Sequence, residues 1–527
     1  MRVLLWVFFG CFLTVLPSYA QIDFRDYYAD TTGRVDCTQA LIQALMDAKN
    51  GEIIEMPEGT FLIQDFDLRG SGSNIRSVKI KGAGKGRTVI LTDKFYPRDV
   101  ADVSLESLAF KGINNTDVDG EIQGTALVAI ANSSKFVMKG CEINGSAEDL
   151  ISVFHVPQVT MTHNGFFKSG LAGRMESDGI RVRGWAVALG AVTGTIQTNH
   201  MLEIARGGIF LGSASNGLHI EDNTIDLYLG SDTPRADGLT IGNSGIYIGQ
   251  EASSIKNVVV HDNRIYNTNI NGLRINGLNA TVTDNIFTNN GTTAIKAHVL
   301  EGATIARNTI REVREGIRFV SQGLISGVTV NDNKLYNTET GIGASVDGKG
   351  GSFDSIHILN NTIMGSKVTG VLLWGESDSP THGNSVQGNT ISNGNPNNPT
   401  TNPLYTAKPF IWGGIVLFHT NGTYVDNNWI FGQLMETPTT TLHGKLFWRQ
   451  NHVYAGGGKD GRITRTSVYS PTCVDSDFGG VTLRDTREWH VDRMNFTNIT
   501  TPVTQINGVD NRICSGTFTP TTTDCYE

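Results

Sequence analysis

GLRINGLNATVTDNIFTNNGTTAIKAHVLEGATIARNTIREVREGIRFV, residues 272–320, states its own period. Gly272-Leu273-Arg274-Ile275-Asn276 returns as Ala294-Ile295-Lys296-Ala297-His298 and again as Gly316-Ile317-Arg318-Phe319-Val320, with the leading aliphatics at 273, 295 and 317, 22 residues apart. Moving outward, the phrase recurs as GIRVR (179–183), GIFLG (208–212) and GIYIG (245–249) on one side. On the other it recurs as GIGAS (341–345), GVLLW (370–374) and GIVLF (414–418). A second phrase, Asn-x-Ile or a near variant, keeps step at 223–225, 263–265, 285–287, 308–310, 333–335, 361–363, 389–391 and 428–430. Two strand-like phrases per period of this length describe a chain that coils into a solenoid of stacked β-turns.

One elongated solenoid accounts for most of the 527 residues without a break in composition, although length alone would allow several domains. Gly (61 copies) far outnumbers Pro (14), which suits many short strands joined by tight turns. Charged residues are only 18% of the chain because the turns use Asn, Gly, Ser and Thr instead of Lys and Glu. The formal charge of −9 argues against nucleic acid as a general partner while leaving room for a local basic stripe.

The opening 20 residues read as a signal peptide: Arg2, an apolar run from 4 to 16, then Pro17-Ser18-Tyr19-Ala20 with small residues suited to cleavage. The run is too short for a stop-transfer span, and no later stretch approaches that length. A secreted or periplasmic protein, not membrane-bound after cleavage, is therefore expected, as a monomer or a trimer. Cleavage leaves Cys37, Cys141, Cys473, Cys514 and Cys525, an odd number. Cys514 and Cys525, close together near the tail, are the expected disulfide. No cysteine or histidine spacing forms a metal site; no cofactor is assigned, and Ca²⁺ is left open without a motif.

Residues 38–49 read as a helix with Ala40, Leu41, Leu45 and Met46 on its apolar face and Asp36 or Thr38 as its cap. Two short strands follow, Glu52–Met56 and Thr60–Ile63, joined by Pro57-Glu58-Gly59. A solenoid needs its first coil covered, and this helix is the candidate. The same stretch, Asp26 to Ile63, resembles the N-terminus of the pectate-lyase-like superfamily of right-handed parallel β-helices. The likeness rests on the Asp26-Tyr27 opening, the ADTTG turn (29–33), the Asp-x-Thr-x-Ala helix start and the Gly-x-Ile-Ile-x-x-Pro-x-Gly-Thr-Phe strand pair (51–61). Tyr28 departs from the pattern, where Gly is common. The resemblance implies an all-β fold, a right-handed single-stranded parallel β-helix with an N-terminal helical cap. With the opening apolar run and the extent of the repeat, the chain divides into a signal peptide (1–20), a cap region (21–75), the β-helix (76–435) and C-terminal coils or tail packed on the helix (436–527). The resemblance implies fold more sharply than reaction, since such β-helices include lyases, polygalacturonases, uronan epimerases and tailspikes.

Neighbours in a strand face opposite sides. With the leading aliphatics inward, the next residues face out: Arg181, Phe210, Tyr247, Arg274, Lys296, Arg318, Gly343, Leu372 and Val416. Two positions on, the outward column reads Arg183, Gly212, Gly249, Asn276, His298, Val320, Ser345, Trp374 and Phe418. Arg274, Lys296 and Arg318 would stand on adjacent rungs with no acid in their column, an arrangement that repels itself unless a partner arrives from outside. An acidic polysaccharide fits, with Tyr247, Asn276, Arg181, Arg183 and Trp374 beside it as binding residues. The same residues could instead be a solvated sheet face. The recurring asparagines are expected to form a structural ladder.

For a uronic acid polymer the stripe suggests β-elimination: a base removes the proton next to the carboxylate while cations neutralise that carboxylate. Lys296, with its ammonium between two guanidinium rungs, should have a lowered pKa; either it or His298 can be the base, with Arg274 and Arg318 as neutralising groups. The Lys296–Arg318 spacing is similar to the Lys and Arg pair of the alginate- and chondroitin-lyase branch, whose surrounding motif is absent. Hydrolysis would need two carboxyls, for which Asp178 and Asp237 are the pair. The polygalacturonase motif set is not found in order and the epimerase DPH-type motif is missing. A non-catalytic carbohydrate-binding or adhesin β-helix is the remaining alternative.

Overall fold

Alternation and period together dictate the architecture. The computed structural model describes residues 21–49, 52–70, 75–113, 126–146, 149–169, 184–227, 244–249, 255–321, 323–346, 351–393, 413–432, 451–474, 480–499, 502–514 and 517–519. The chain winds into coils whose strands pair in parallel with the coil before and the coil after, forming three main ladders and a fourth of two-residue strands such as Gly277–Leu278 and Leu300–Glu301. The first contains Gly207–Leu211, Ser244–Ile248, Asn271–Ile275, Thr293–Ala297, Glu315–Ser321, Thr340–Val346, Thr369–Trp374 and Gly413–Phe418. The second runs through Val259–His261, Thr281–Thr283 and Thr304–Ala306, and the third through Arg264–Tyr266, Ile286–Thr288 and Thr309–Arg311.

Register follows the aliphatics. Ile209, Ile246, Leu273, Ile295, Ile317, Ile342, Val371 and Ile415 lie rung on rung, and none has any exposed surface. Burying each such side chain contributes about 1.5–3 kcal/mol, so the stack is the main source of cohesion between coils. The small residue that opens each phrase has a packing reason. At Gly272 a Cβ would lie 2.5 Å from Phe287 Cδ1 and 2.8 Å from the Ala294 carbonyl oxygen.

One coil differs from expectation. The aliphatic beneath Ile209 is Val187, in GWAVAL (184–189), not Ile180 of GIRVR. Ala188 therefore stands beside Phe210, in the place assigned to Arg181. The Gly-Ile start of 179–183 matches the repeating phrase more closely than the segment led by Trp185, whose ring lies against Gly207.

The asparagine ladder is continuous and longer than expected. Asn164, Asn199, Asn223, Asn263, Asn285, Asn308, Asn333, Asn361, Asn389 and Asn428 are all buried. Each side-chain amide donates to the Oδ1 of the next at 2.9–3.0 Å. Cys141 N donates to the first Oδ1. These asparagines do not themselves occupy the left-handed region. The residue before each does, at φ 51° in Asp222, 61° in Asp284, 56° in Arg307 and 57° in Asp332. The amide thus secures a turn that its neighbour makes.

At the N-terminal end one helix, Thr38–Asp47, stands where the sequence indicated. Leu41, Ala44 and Leu45 are buried in the same continuous core as the coils, while Met46 is half exposed. Its N-cap is Cys37, without a side-chain hydrogen bond; Asp36 Oδ1 instead accepts from Thr38 N (2.9 Å) and Thr38 Oγ1 (2.6 Å). The ADTTG turn is held by Asp30, whose carboxylate accepts from Thr32 N, Thr32 Oγ1, Arg34 N and Val35 N. Those donors, the Thr32 hydroxyl foremost, hold its pKa well below the usual carboxylate range. At the other end Val481–Arg484, His490–Asp492 and Asn495–Ile499 form a further coil, paired with the one before and the one after. Cys37, Cys141 and Cys514 are free thiols. Cys514 therefore departs from the expected disulfide: its Sγ faces His490 Nε2 at 3.4 Å. Cys525 lies outside the described residues.

Candidate functional site

The outer face of the first ladder carries the residues singled out above. Phe210, Tyr247, Arg274, Lys296, Arg318, Gly343, Leu372 and Val416 occupy one column on consecutive rungs. Rungs are spaced by about 4.8 Å, so the three cations span about 10 Å of the face. Upstream the column is aromatic. Trp185 stacks on Phe210 with ring centroids 5.2 Å apart, Phe210 meets Tyr247 at 5.5 Å, and the Arg274 guanidinium lies 4.8 Å from the Tyr247 ring centre. That cation–π contact fixes Arg274 against the aromatic end.

Arg318 is held from three directions. Its Nη2 donates to Ser345 Oγ at 2.7 Å, on the next coil. Gly343 makes room for that reach, since a Cβ there would sit 2.8 Å from Arg318 Nη1. Glu315 Oε1 lies 3.7 Å from Arg318 Nε, both side chains being nearly buried, and Thr293 Oγ1 donates to Glu315 Oε2 at 3.1 Å. The site thus contains an acid that the sequence reading passed over. Glu315 precedes the small residue that opens each phrase, and the same position holds Thr293 and Thr340 in adjacent coils.

The second outward column divides. Asn276 is buried and its amide is spent on backbone: Nδ2 donates to Gly249 O at 2.7 Å, and Oδ1 accepts from His298 N at 2.9 Å. His298 is only 9% exposed, whereas Lys296 between its two arginine rungs is half-buried. Trp374 lies on the rung two beyond Arg318, with its ring 4.2 Å from Phe418. Leu372, Val416 and Tyr454 point out of the coil yet are buried, forming a second hydrophobic cluster against which Trp374 and Phe418 pack. Burial pushes the Tyr454 phenol up to about 12. Arg181, Arg183, Asp178 and Asp237 lie outside the described residues. Among the described residues no group of three or more His, Cys, Asp or Glu side chains is arranged to hold a metal ion.

The face therefore presents an aromatic end, a cationic centre and a second aromatic end, in a line along the coil axis. Chemically it can hold an extended acidic chain, neutralise a carboxylate and place an amine beside it. Residues 228–391 match the family described as right handed beta helix region. No curated protein matches the chain. Among solved structures it is similar to the A-module of the mannuronan C-5 epimerase AlgE6 of Azotobacter vinelandii (12% identity, 94% of this chain and 99% of that one, TM-score 0.34). It is also similar to the family 28 exopolygalacturonase of Yersinia enterocolitica (12%, 94% and 78%, TM-score 0.34) and to DFA-IIIase of Arthrobacter chlorophenolicus A6 (12%, 90% and 94%, TM-score 0.35). Likeness at this level carries no catalytic residue across.

Proposed function

We propose that this parallel β-helix, whose residues 228–391 match the right handed beta helix region, belongs to the pectate-lyase-like superfamily and is an exported polysaccharide lyase acting on an acidic, uronic acid-containing chain. The observation that carries the reading is the column Tyr247–Arg274–Lys296–Arg318 on consecutive rungs. Arg274 and Arg318 neutralise the substrate carboxylate, which makes the adjacent proton acidic. Lys296, between them, removes that proton. Half-buried Lys296 suits this task better than His298, which is nearly enclosed and two residues on. Ser345, Gly343 and Glu315 hold the Arg318 guanidinium in place before substrate arrives, which removes an ordering cost from the bound state. Tyr247 and Trp374 flank the cations and receive sugar rings on either side. The helix Thr38–Asp47 acts as the cover of the first coil, and residues 1–20 as the export signal.

The elimination breaks the bond between the glycosidic oxygen and the β-carbon. The electron pair of the removed C–H becomes a conjugated double bond, and the leaving oxygen takes a proton. Polyuronates are incubated with the protein while ultraviolet absorbance and reducing ends are followed together. Both signals rise if the chain is a lyase, and both disappear in Lys296→Ala. Reducing ends without absorbance would assign hydrolysis and turn attention to Asp178 and Asp237. A K296A variant of full activity removes Lys296 from the mechanism.

A further inference from the structure

The third ladder has an outer face of its own, and its composition is lopsided. From Arg264–Tyr266 through the strand beginning at Ser467, eight rungs present two outward columns. One reads Arg264, Ile286, Thr309, Lys334, Thr362, Thr390, Trp429, Ser467. The other reads Tyr266, Thr288, Arg311, Tyr336, Met364, Ser392, Phe431, Tyr469. None of the sixteen is acidic. Arg264, Arg311 and Lys334 are exposed and form no ion pair among the described residues; Arg311 lies over the Tyr336 ring at 5.1 Å. The carboxylates at the preceding corner are already engaged, Asp284 by Arg307 (2.6 Å), Asp262 by His261 (2.9 Å) and Asp332 by the Asn331 amide (2.8 Å).

Three rungs beyond Lys334 the face becomes an aromatic platform. Trp429 is 52% exposed and Tyr469 37% exposed, and the Trp429 and Phe431 ring centroids are 4.8 Å apart. Aromatics left this open on a solvent-facing sheet are costly unless they are used, and here they continue a lane that is positive at its other end. Between the two ends the outward positions are mostly hydroxyls: Thr288, Thr309, Thr362, Thr390 and Ser392.

We infer that this lane is a second binding site for an acidic polysaccharide, separate from the first-ladder face: carboxylates pair with Arg264, Arg311 and Lys334, and a sugar ring stacks on Trp429, Phe431 and Tyr469. The lane is about 34 Å long at the rung spacing of about 4.8 Å. A single nucleic-acid strand of that length carries roughly ten charges, for which three cations are too few. A hydroxyl-rich chain with sparser charge matches both the cations and the threonine-serine stretch. The lane holds a long chain on one face while the first ladder works on another segment or another chain, which raises the local concentration of substrate.

The test uses the full-length protein in native gels containing high-molecular-mass polygalacturonate or alginate. Two double variants divide the lane: Trp429→Ala with Tyr469→Ala keeps the charges, and Arg311→Gln with Lys334→Gln keeps the platform. All four positions are on the surface, and unchanged thermal unfolding verifies the fold. Each double variant should need about tenfold more polymer for equal retardation, while binding of a triuronate, too short to reach across both faces, stays at the wild-type level. Lys296→Ala should leave the retardation intact, which separates this site from the first-ladder chemistry. The inference is overturned if neither double variant changes retardation or the wild-type protein shows none. It is equally overturned if K296A abolishes retardation, or if the lane variants lose a single-stranded oligonucleotide and keep the polyuronate.

Discussion

Replacing Asn308 with Ala breaks the asparagine ladder at its middle, and the structure sets the size of the loss. Asn308 has no exposed surface, and its side chain takes part in five hydrogen bonds. Nδ2 donates to Val282 O (2.9 Å), Ala306 O (3.1 Å) and Asn333 Oδ1 (2.9 Å); Oδ1 accepts from Asn285 N (3.0 Å) and Asn285 Nδ2 (3.0 Å). Most partners keep another bond: Asn285 Nδ2 still donates to Val260 O, and Asn333 Oδ1 still accepts from Asn308 N. The backbone N–H of Asn285 keeps none of its side-chain acceptor. One fully orphaned buried donor costs about 1–3 kcal/mol, and the weakened remainder of a polarised network adds to it, so the expected loss is about 3–5 kcal/mol. Stacked coils need not unfold in one step. The assay is therefore urea unfolding with hydrogen exchange at the coils on either side, where protection should fall. Asn428→Ala, at the end of the ladder with no amide beyond it, should cost less. A loss below about 0.5 kcal/mol at Asn308, with exchange unchanged, would show that the ladder is incidental to cohesion.

Gly343→Ala puts a Cβ 2.8 Å from Arg318 Nη1 and should raise KM about tenfold with little change in stability; equal KM would mean that the Arg318 position does not matter. Tyr454, pushed up to about 12, has a folded pKa above its unfolded value of about 10. It therefore adds stability that is complete below pH 10 and is lost as the pH rises toward 12. In a spectrophotometric titration a phenol ionising near 12 should be present and should vanish in the Tyr454→Phe variant; a high-pH step that persists in Y454F refutes it. The Cys141 thiol, fully buried and pushed up to about 12, should resist a disulfide reagent until the protein unfolds, while exposed Cys514 reacts at once. Rapid labelling of Cys141 would contradict the packing.

The first-ladder column from Phe210 to Val416 was legible because period and alternation leave one arrangement once the aliphatics are turned inward. What was not legible depended on contacts between phrases. Ala188 in place of Arg181 follows from Trp185 packing over Gly207, a contact that no periodicity encodes. Glu315 sits ahead of the repeating phrase, and its pairing with Arg318 requires the actual backbone. Asn276 looked like an outward ligand by alternation; the strand ends at Ile275, and the side chain turns to serve the backbone instead. Asn164 and Asn199 were missed because the residue two positions on is Phe166 or Met201, not Ile, although both are apolar and inward like the rest.

Because every ladder asparagine occupies an equivalent place, the chain can lose or gain a whole coil without disturbing the next. Asn333 and Asn361 are 28 residues apart in sequence and one rung apart in space. Splicing out residues 334–361 would join equivalent points, leaving Asn333 beside Asn389, and would bring Trp374 from two rungs beyond Arg318 to one. The fold is in this sense a ruler graduated in steps of about 4.8 Å. Insertions and deletions of whole coils reset the distance between its cationic and aromatic marks, and with it the length of chain it can measure.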